Sequence, residues 1–155
     1  MTYFHEEQRF GRGLWVLVLV FGAAVLIPLI GRSVPLAALA FGPIVIAIVF
    51  SLIALSRLDV DVDDQGIHIA FHLLWPTRHI PLENVKRAQA TQYSPLMWGG
   101  WGVHFLFLRG WSFNAGGHEG VLVELNKGSS VMIGSQRAKE LEAAIAKATA
   151  ARAGA

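Results

Sequence analysis

The chain has 155 residues, 54% of them hydrophobic, a length that accommodates one membrane element and one small domain. The absence of cysteine excludes disulfides, thiol catalysis and cysteine metal sites, and fits a reducing cytoplasm. Thirteen Lys and Arg against 11 Asp and Glu, without a clustered basic face, provide no basis for nucleic-acid binding.

The first third of the chain carries two long uncharged stretches. Gly13 to Gly31 and Ser33 to Ser56 contain 19 and 24 residues and are separated only by Arg32. A hydrocarbon core about 30 Å thick needs roughly 20 apolar residues to cross as a helix. The pattern predicts a two-helix transmembrane hairpin over residues 13–56. Residues 1–12 are polar and aromatic, and are predicted to lie at the lipid headgroups.

Basic residues and proline set the expected geometry of this hairpin. Arg9, Arg12 and Arg57 flank it and Arg32 stands at its tip, so both termini are expected in the cytoplasm of a multi-pass inner-membrane protein. Pro28 should end or bend the first helix. A cleaved signal peptide is disfavoured because a second apolar run follows at once. Small residues on both helices allow hairpin packing, which we favour, or a homo-oligomer.

From Leu58 onward, apolar and polar residues alternate as in half-exposed strands. Leu58 to Asp63 and Ile67 to Leu73 are predicted to form a hairpin around the turn at 64–66, and further short strands follow to Ile133. From Gln136 to about Ala150 the apolar period becomes helical. Residues 57–150 are thus predicted to form a cytoplasmic α+β, mainly β, domain: a bent antiparallel sheet or partial barrel of about seven strands, capped by a C-terminal amphipathic helix. Residues 151–155 form a frayed tail.

Three segments of this domain resemble a known family. They are Arg78 to Val85, the strand start Trp101-Gly102-Val103, and Gly134-Ser135 leading into a helix with Leu141 and Ile145. In this order, behind two spans, they resemble the bacterial pleckstrin-homology-like (PH-like) membrane proteins. The resemblance implies a bent seven-stranded sheet capped by a helix, in proteins that mostly lack an assigned activity.

Phosphoinositide binding, which eukaryotic relatives of that fold perform through a basic first hairpin, is not expected here. The corresponding hairpin carries Asp59, Asp61, Asp63 and Asp64, which would repel a phosphorylated headgroup.

The residues that could carry chemistry do not form a recognisable constellation. His68 and His72 share a strand face, but four residues of extended chain separate them by roughly 13 Å, too far for one ion. A metal site would require one of them to meet His79, His104 or His118 across strands. No serine lies in a nucleophile elbow. We therefore assign no catalytic, cofactor-binding or metal-binding residue, and predict that the protein is not an enzyme.

The segment from Tyr93 to Trp101 is the candidate interaction loop, because it gathers large apolar side chains in a connection. Its candidate contact residues are Tyr93, Leu96, Met97, Trp98 and Trp101. Three hypotheses are open: the loop contacts a partner, Trp98 and Trp101 fold back over the sheet, or the loop enters the headgroup layer.

These patterns predict a function of the interaction class. The leading hypothesis is a non-enzymatic, membrane-anchored PH-like interaction or scaffold module, including an accessory subunit of a membrane complex, whose partners are the lipid bilayer and a protein. The alternative is a membrane sensor that binds a lipid or small molecule in a pocket between the sheet and its helix.

Overall fold

The computed structural model describes residues 1–27 and 35–154, apart from the side chains of residues 36–40 and 96. Pro28 and Arg32, to which the sequence assigned a helix end and a hairpin tip, lie outside the described residues. The described chain forms two β-sheets and three α-helices.

The first sheet contains four antiparallel strands in chain order. They are β1 (Thr2–Arg9), β2 (Arg57–Asp63), β3 (Gly66–Phe71) and β4 (Trp75–Pro81). The alternation in β2 places Leu58, Val60 and Val62 in the core and the aspartates on the outer face. Strand β3 likewise buries Ile67, Ile69 and Phe71.

The chain begins with a strand, so the predicted interfacial segment at residues 1–12 is wrong. Strand β1 pairs with β2 along its whole length and buries every second side chain: Phe4, Glu6 and Gln8. Two of these three inward residues are polar, which hides the alternation in the sequence. Gln8 Nε2 donates to the carbonyl of Gly134 at 2.8 Å, so this polar residue is tolerated in the core.

Helices α1 (Arg12–Leu26) and α2 (Leu36–Leu55) are inserted between the neighbouring strands β1 and β2. Among the described residues, no helix is both long enough and apolar enough to cross a membrane. The 15 residues of α1 rise about 22 Å, less than the hydrocarbon core of about 30 Å. This finding overturns the predicted N-terminal two-span hairpin and the multi-pass inner-membrane location that was inferred from it.

The second sheet contains five strands with the order β5–β8–β9–β7–β6. They are β5 (Val85–Gln92), β6 (Gly102–Leu106), β7 (Gly110–Asn114), β8 (Glu119–Leu125) and β9 (Val131–Gly134). Strands β7 and β9 are parallel, and the other pairs are antiparallel. The predicted single sheet of about seven strands is therefore wrong, since nine described strands form two sheets. Strand β1 is an additional member of the first sheet, and β9 lies between β7 and β8 in the second.

Helix α3 (Ala138–Ala153) closes the core by packing on strands of both sheets, β1, β2, β5 and β8. Its apolar face buries Leu141, Ile145 and Ala148. The carboxylate of the buried Glu6 reaches the turn before this helix, where it accepts from Ser135 Oγ at 2.5 Å and from the backbone N–H of Gln136 at 3.0 Å. Strand β1 and helix α3 are thus linked by buried polar contacts as well as by packing.

Candidate functional site

The predicted interaction loop lies largely against its own sheet. Tyr93 and Trp98 are 7% and 9% exposed and pack around the buried Met132 of β9. Trp101 is half-buried against the main core, and its ring lies so close to Gly13 that a Cβ there would come within 3.3 Å of it. Trp98 and Trp101 thus fold back over the sheet, as one of the three hypotheses for this loop describes.

Met97 is the exposed residue of the candidate set, with 60% of its surface accessible. The side chain of Leu96 lies outside the described residues, although its backbone belongs to the 3₁₀ helix Pro95–Trp98. The backbone N–H of Gly100 donates to the carbonyl of Pro95 at 2.8 Å, and the Arg109 guanidinium lies 5.6 Å from the centre of the Trp98 ring. The loop therefore has a defined shape and presents Met97 on its surface.

Two polar side chains lie beneath this loop. Asn114 Nδ2 donates to the carbonyl of Gly100 at 2.9 Å, while Asn114 Oδ1 and the Tyr93 hydroxyl have no hydrogen-bond partner among the described residues. Burial raises the pKa of Tyr93 to about 12. The Tyr93 hydroxyl therefore stays protonated near neutral pH.

A larger apolar surface lies on the helical insertion. Trp15 and Phe50 pack across the two helices with ring centroids 4.7 Å apart, but most of the apolar side chains point away from the domain. The exposed large residues on this insertion surface are Val16, Leu17, Leu19, Val20, Phe21, Val25, Ile27, Phe41, Ile44, Val45, Ile48, Val49, Phe50, Leu52 and Leu55. A cavity of about 370 Å³ lies between α1 and α2, lined by Leu17, Val18, Phe21, Gly22, Val45, Ile46 and Val49.

Two hairpin turns add apolar groups that sequence reasoning missed. The turn between β3 and β4 exposes Leu73 and Leu74, and the turn between β6 and β7 exposes Phe107 and Leu108 by 91% and 93%. The signal was present in the sequence, as apolar pairs at positions where a turn is usually polar. The alternating pattern instead placed Leu73, Phe107 and Leu108 in predicted strands.

Arg78 points toward the second sheet from β4. Its guanidinium lies 5.3 Å from the Trp111 ring centroid and 5.9 Å from that of Phe113. Burial lowers the pKa of Arg78 from its ordinary value, although the side chain stays charged at any physiological pH. Cation–π contacts of this kind hold a charge at the edge of an apolar core.

Histidines and aspartates cover the outer face of the first sheet. His5, Asp61, His68 and His79 lie directly opposite one another across the four strands and form one row. His5 Nδ1 lies 2.6 Å from Asp61 Oδ1, and His68 Nδ1 lies 3.3 Å from His79 Nδ1. His72, which the sequence grouped with His68, contacts Asp59 at 2.8 Å instead.

This row meets one of the two conditions that the sequence set for a metal site, because His68 does reach His79 across strands. Coordination by histidines alone would be incomplete, so carboxylates would also be required to complete the site. Among residues 1–27 and 35–154, no group of three or more His, Asp or Glu side chains is arranged to hold a metal ion.

Comparison with known proteins gives a family but no function. No curated protein and no solved structure matches the chain. A family profile described as "protein of unknown function (DUF3093)" matches residues 3–115, which is 113 of the 155 residues. The match extends from β1 through the helical insertion to the end of β7. The predicted membership of the PH-like membrane proteins is therefore wrong, and the chain belongs to the DUF3093 family.

Proposed function

We propose that this protein is a non-enzymatic interaction module that binds a partner protein through the insertion surface on α1 and α2. The observation that carries the proposal is the exposure of 15 large apolar side chains among the described residues of this one insertion. Water-exposed apolar patches on a stable monomer rarely exceed a few hundred Å², and larger ones usually mark a contact surface.

The chemistry of the insertion surface favours an apolar partner. Neither Gly13 to Leu26 nor Leu36 to Leu55 contains a charged residue, so the surface offers no ion pairs to a polar partner. Each Å² of apolar surface removed from water contributes about 25 cal/mol, less the entropy of association. The apolar cavity of about 370 Å³ between α1 and α2 leaves space in which side chains of a partner can pack.

The domain provides a rigid base for this contact. Strands β1 and β2, which enter and leave the insertion, pair along their whole length, and Leu14 and Ile53 pack on the main core. In this proposal the loop from Tyr93 to Trp101 contributes Met97 as a secondary contact, while Tyr93 and Trp98 maintain the shape of the loop.

Site-specific photocrosslinking tests the proposal, because the chain has no cysteine of its own. Phe21→Cys places a benzophenone label on the insertion surface, and Gln65→Cys places the same label on the exposed polar turn after β2 as a control. Irradiation in native extracts should give one discrete polypeptide adduct with the Phe21→Cys protein and none with the Gln65→Cys protein. Equal adducts at both positions, or no polypeptide adduct from Phe21→Cys, would contradict the proposal.

A second candidate function is the binding of a lipid or hydrophobic small molecule. The cavity between α1 and α2, whose seven lining residues are all apolar, favours it. The pocket expected between the sheet and its helix is a less apolar groove, lined by residues such as Lys86, Arg87 and Thr149. The same crosslinking experiment separates the two functions, because label products of lipid or small-molecule mass without a polypeptide adduct would support this second candidate.

A further inference from the structure

Two histidines of the row on the first sheet, His68 and His79, lie side by side. His68 on β3 and His79 on β4 are directly opposite in the strand register, and their ring centroids are 4.5 Å apart. The two Nδ1 atoms face each other at 3.3 Å. The half-buried His68 and the exposed His79 are both accessible from solution.

A carboxylate, that of Asp63, contacts the ring nitrogen of His68 that faces away from His79. Asp63 lies 3.3 Å from His68 Nε2, where it can accept a hydrogen bond from a protonated Nε2. In that tautomer the Nδ1 atom of His68 has a free lone pair on the side of His79. Asp63 also accepts from the backbone N–H groups of Gln65 and Gly66 at 2.8 and 3.0 Å. These contacts hold the Asp63 carboxylate beside the His68 ring.

This arrangement is the one that metal-binding histidines use. A ligating imidazole usually donates its second N–H to a carboxylate, which fixes the tautomer and the ring orientation. Gly66 makes space for the second ring, since a Cβ at that position would come within 2.7 Å of His79 Cε1. Asp61 lies directly opposite His68 on β2 and adds negative charge on that side of the pair, which favours a cation.

The separation of the two nitrogens is compatible with a zinc ion. Zinc binds imidazole nitrogen at about 2.0–2.1 Å in tetrahedral geometry, which places two ligand nitrogens about 3.3 Å apart. Neighbouring nitrogens in a square-planar copper site would be about 2.8 Å apart. The observed 3.3 Å therefore fits the tetrahedral ion.

We propose that His68 and His79 chelate a zinc ion through their Nδ1 atoms, with Asp63 orienting His68 and water completing the coordination. Two protein ligands give weaker binding than the four of a structural zinc site, and leave open positions for water or a further ligand. The site is independent of the proposed partner surface, because it lies on the outer face of the first sheet.

Titration of zinc chloride into the metal-free full-length chain, without a histidine tag, tests the proposal. Calorimetry should give one ion per chain, and NMR should show perturbation of the His68 and His79 ring signals. His68→Asn and His79→Asn should each weaken binding at least tenfold. His72→Asn is the matched control, because His72 lies on the same face and pairs with Asp59; it should bind zinc as the unaltered chain does.

Two further readouts separate chelation from general attraction to a negative surface. Because the two imidazoles act as a unit, the double variant should lose little more affinity than either single variant. Affinity should also fall as the pH is lowered, because each bound imidazole must release its proton. Equal losses in His72→Asn and His68→Asn, or ring signals of His68 and His79 that zinc leaves unchanged, would overturn the assignment. Unchanged amide NMR spectra of the variants in the absence of zinc would show that they remain folded.

Discussion

Tyr93 has a different position in the structure from the one that the sequence suggests. In the sequence Tyr93 is an apolar contact residue of an exposed loop, whereas in the structure it is buried under that loop. Its hydroxyl has no partner among the described residues, and such a group destabilises the folded state. Because the ring of Tyr93 packs beneath the loop, we interpret Tyr93 as a residue that maintains the shape of the loop.

Tyr93→Phe should leave the free energy of unfolding at pH 7 unchanged or raise it by up to about 1 kcal/mol, because it removes a buried hydroxyl that makes no hydrogen bond. The folded state raises the pKa of Tyr93 to about 12 and so holds this proton more tightly than the unfolded chain, whose tyrosine pKa is about 10. Relative to the Tyr93→Phe protein, the stability of the unaltered protein is thus constant below about pH 10 and falls as the pH rises toward 12.

Chemical denaturation between pH 8 and pH 12 measures both effects. The stability of the unaltered protein relative to Tyr93→Phe should fall by about 2 kcal/mol between pH 9 and pH 12. Comparing the two proteins cancels the titration of lysines and of Tyr3. A loss of more than about 1 kcal/mol in Tyr93→Phe at pH 7 would show that the hydroxyl makes a stabilising bond.

At the scale of elements, β1 determines how the rest of the domain closes. It covers the edge of β2 and contributes Phe4 to the core, and through Glu6 and Gln8 it contacts the segment that leads from β9 into α3. The carboxylate of Glu6 also lies where α3 begins, and a negative charge there is favourable to the helix dipole. One strand therefore connects the first sheet, the second sheet and the helix.

Glu6→Ala should lower the free energy of unfolding by about 2 to 4 kcal/mol, because it leaves the Ser135 hydroxyl and the Gln136 N–H without their acceptor. Glu7→Ala is the matched control: Glu7 points outward and forms an exposed ion pair with Arg57 at 3.4 Å, which contributes at most about 1 kcal/mol. Urea unfolding of both variants measures the difference. Similar losses in the two variants would contradict the role of Glu6 in anchoring α3.

At the scale of the whole molecule, the helical insertion is one continuous segment of the chain, between β1 and β2, and could be removed without interrupting either sheet. Strands β1 and β2 are neighbours, and Arg9 lies opposite Arg57 where the insertion leaves the sheet. A short turn could therefore join them as an ordinary hairpin. The insertion makes limited contact with the core, through residues such as Leu14, Ile53 and the Gly11 N–H, which donates to the carbonyl of Ala115 at 3.0 Å.

Replacement of residues 12–55 by Asn-Gly should give a chain that still folds cooperatively, with reduced thermal stability because the packing of Leu14 and Ile53 is lost. Amide NMR signals of β3, β8 and β9 should keep their positions. An unfolded shortened chain would show that the insertion is part of the core.

The sequence determined those features that local periodicity encodes. Alternation fixed the inward faces of β2 and β3, the helical period fixed the buried face of α3, and the uncharged runs correspond to two apolar helices. In each case a side chain's environment follows from its position within one element, so a short window contains the necessary information.

Only the tertiary structure decided which elements pair and which side chains meet. The polar inward residues Glu6 and Gln8 hide the strand pattern of β1, and their hydrogen-bond partners Ser135 and Gly134 lie more than 120 positions away in the chain. The parallel pairing of β7 with β9, the burial of Trp98 and the contact of His68 with His79 likewise depend on strand register between distant segments. Register is set by the sum of many long-range contacts, which no single stretch of sequence contains.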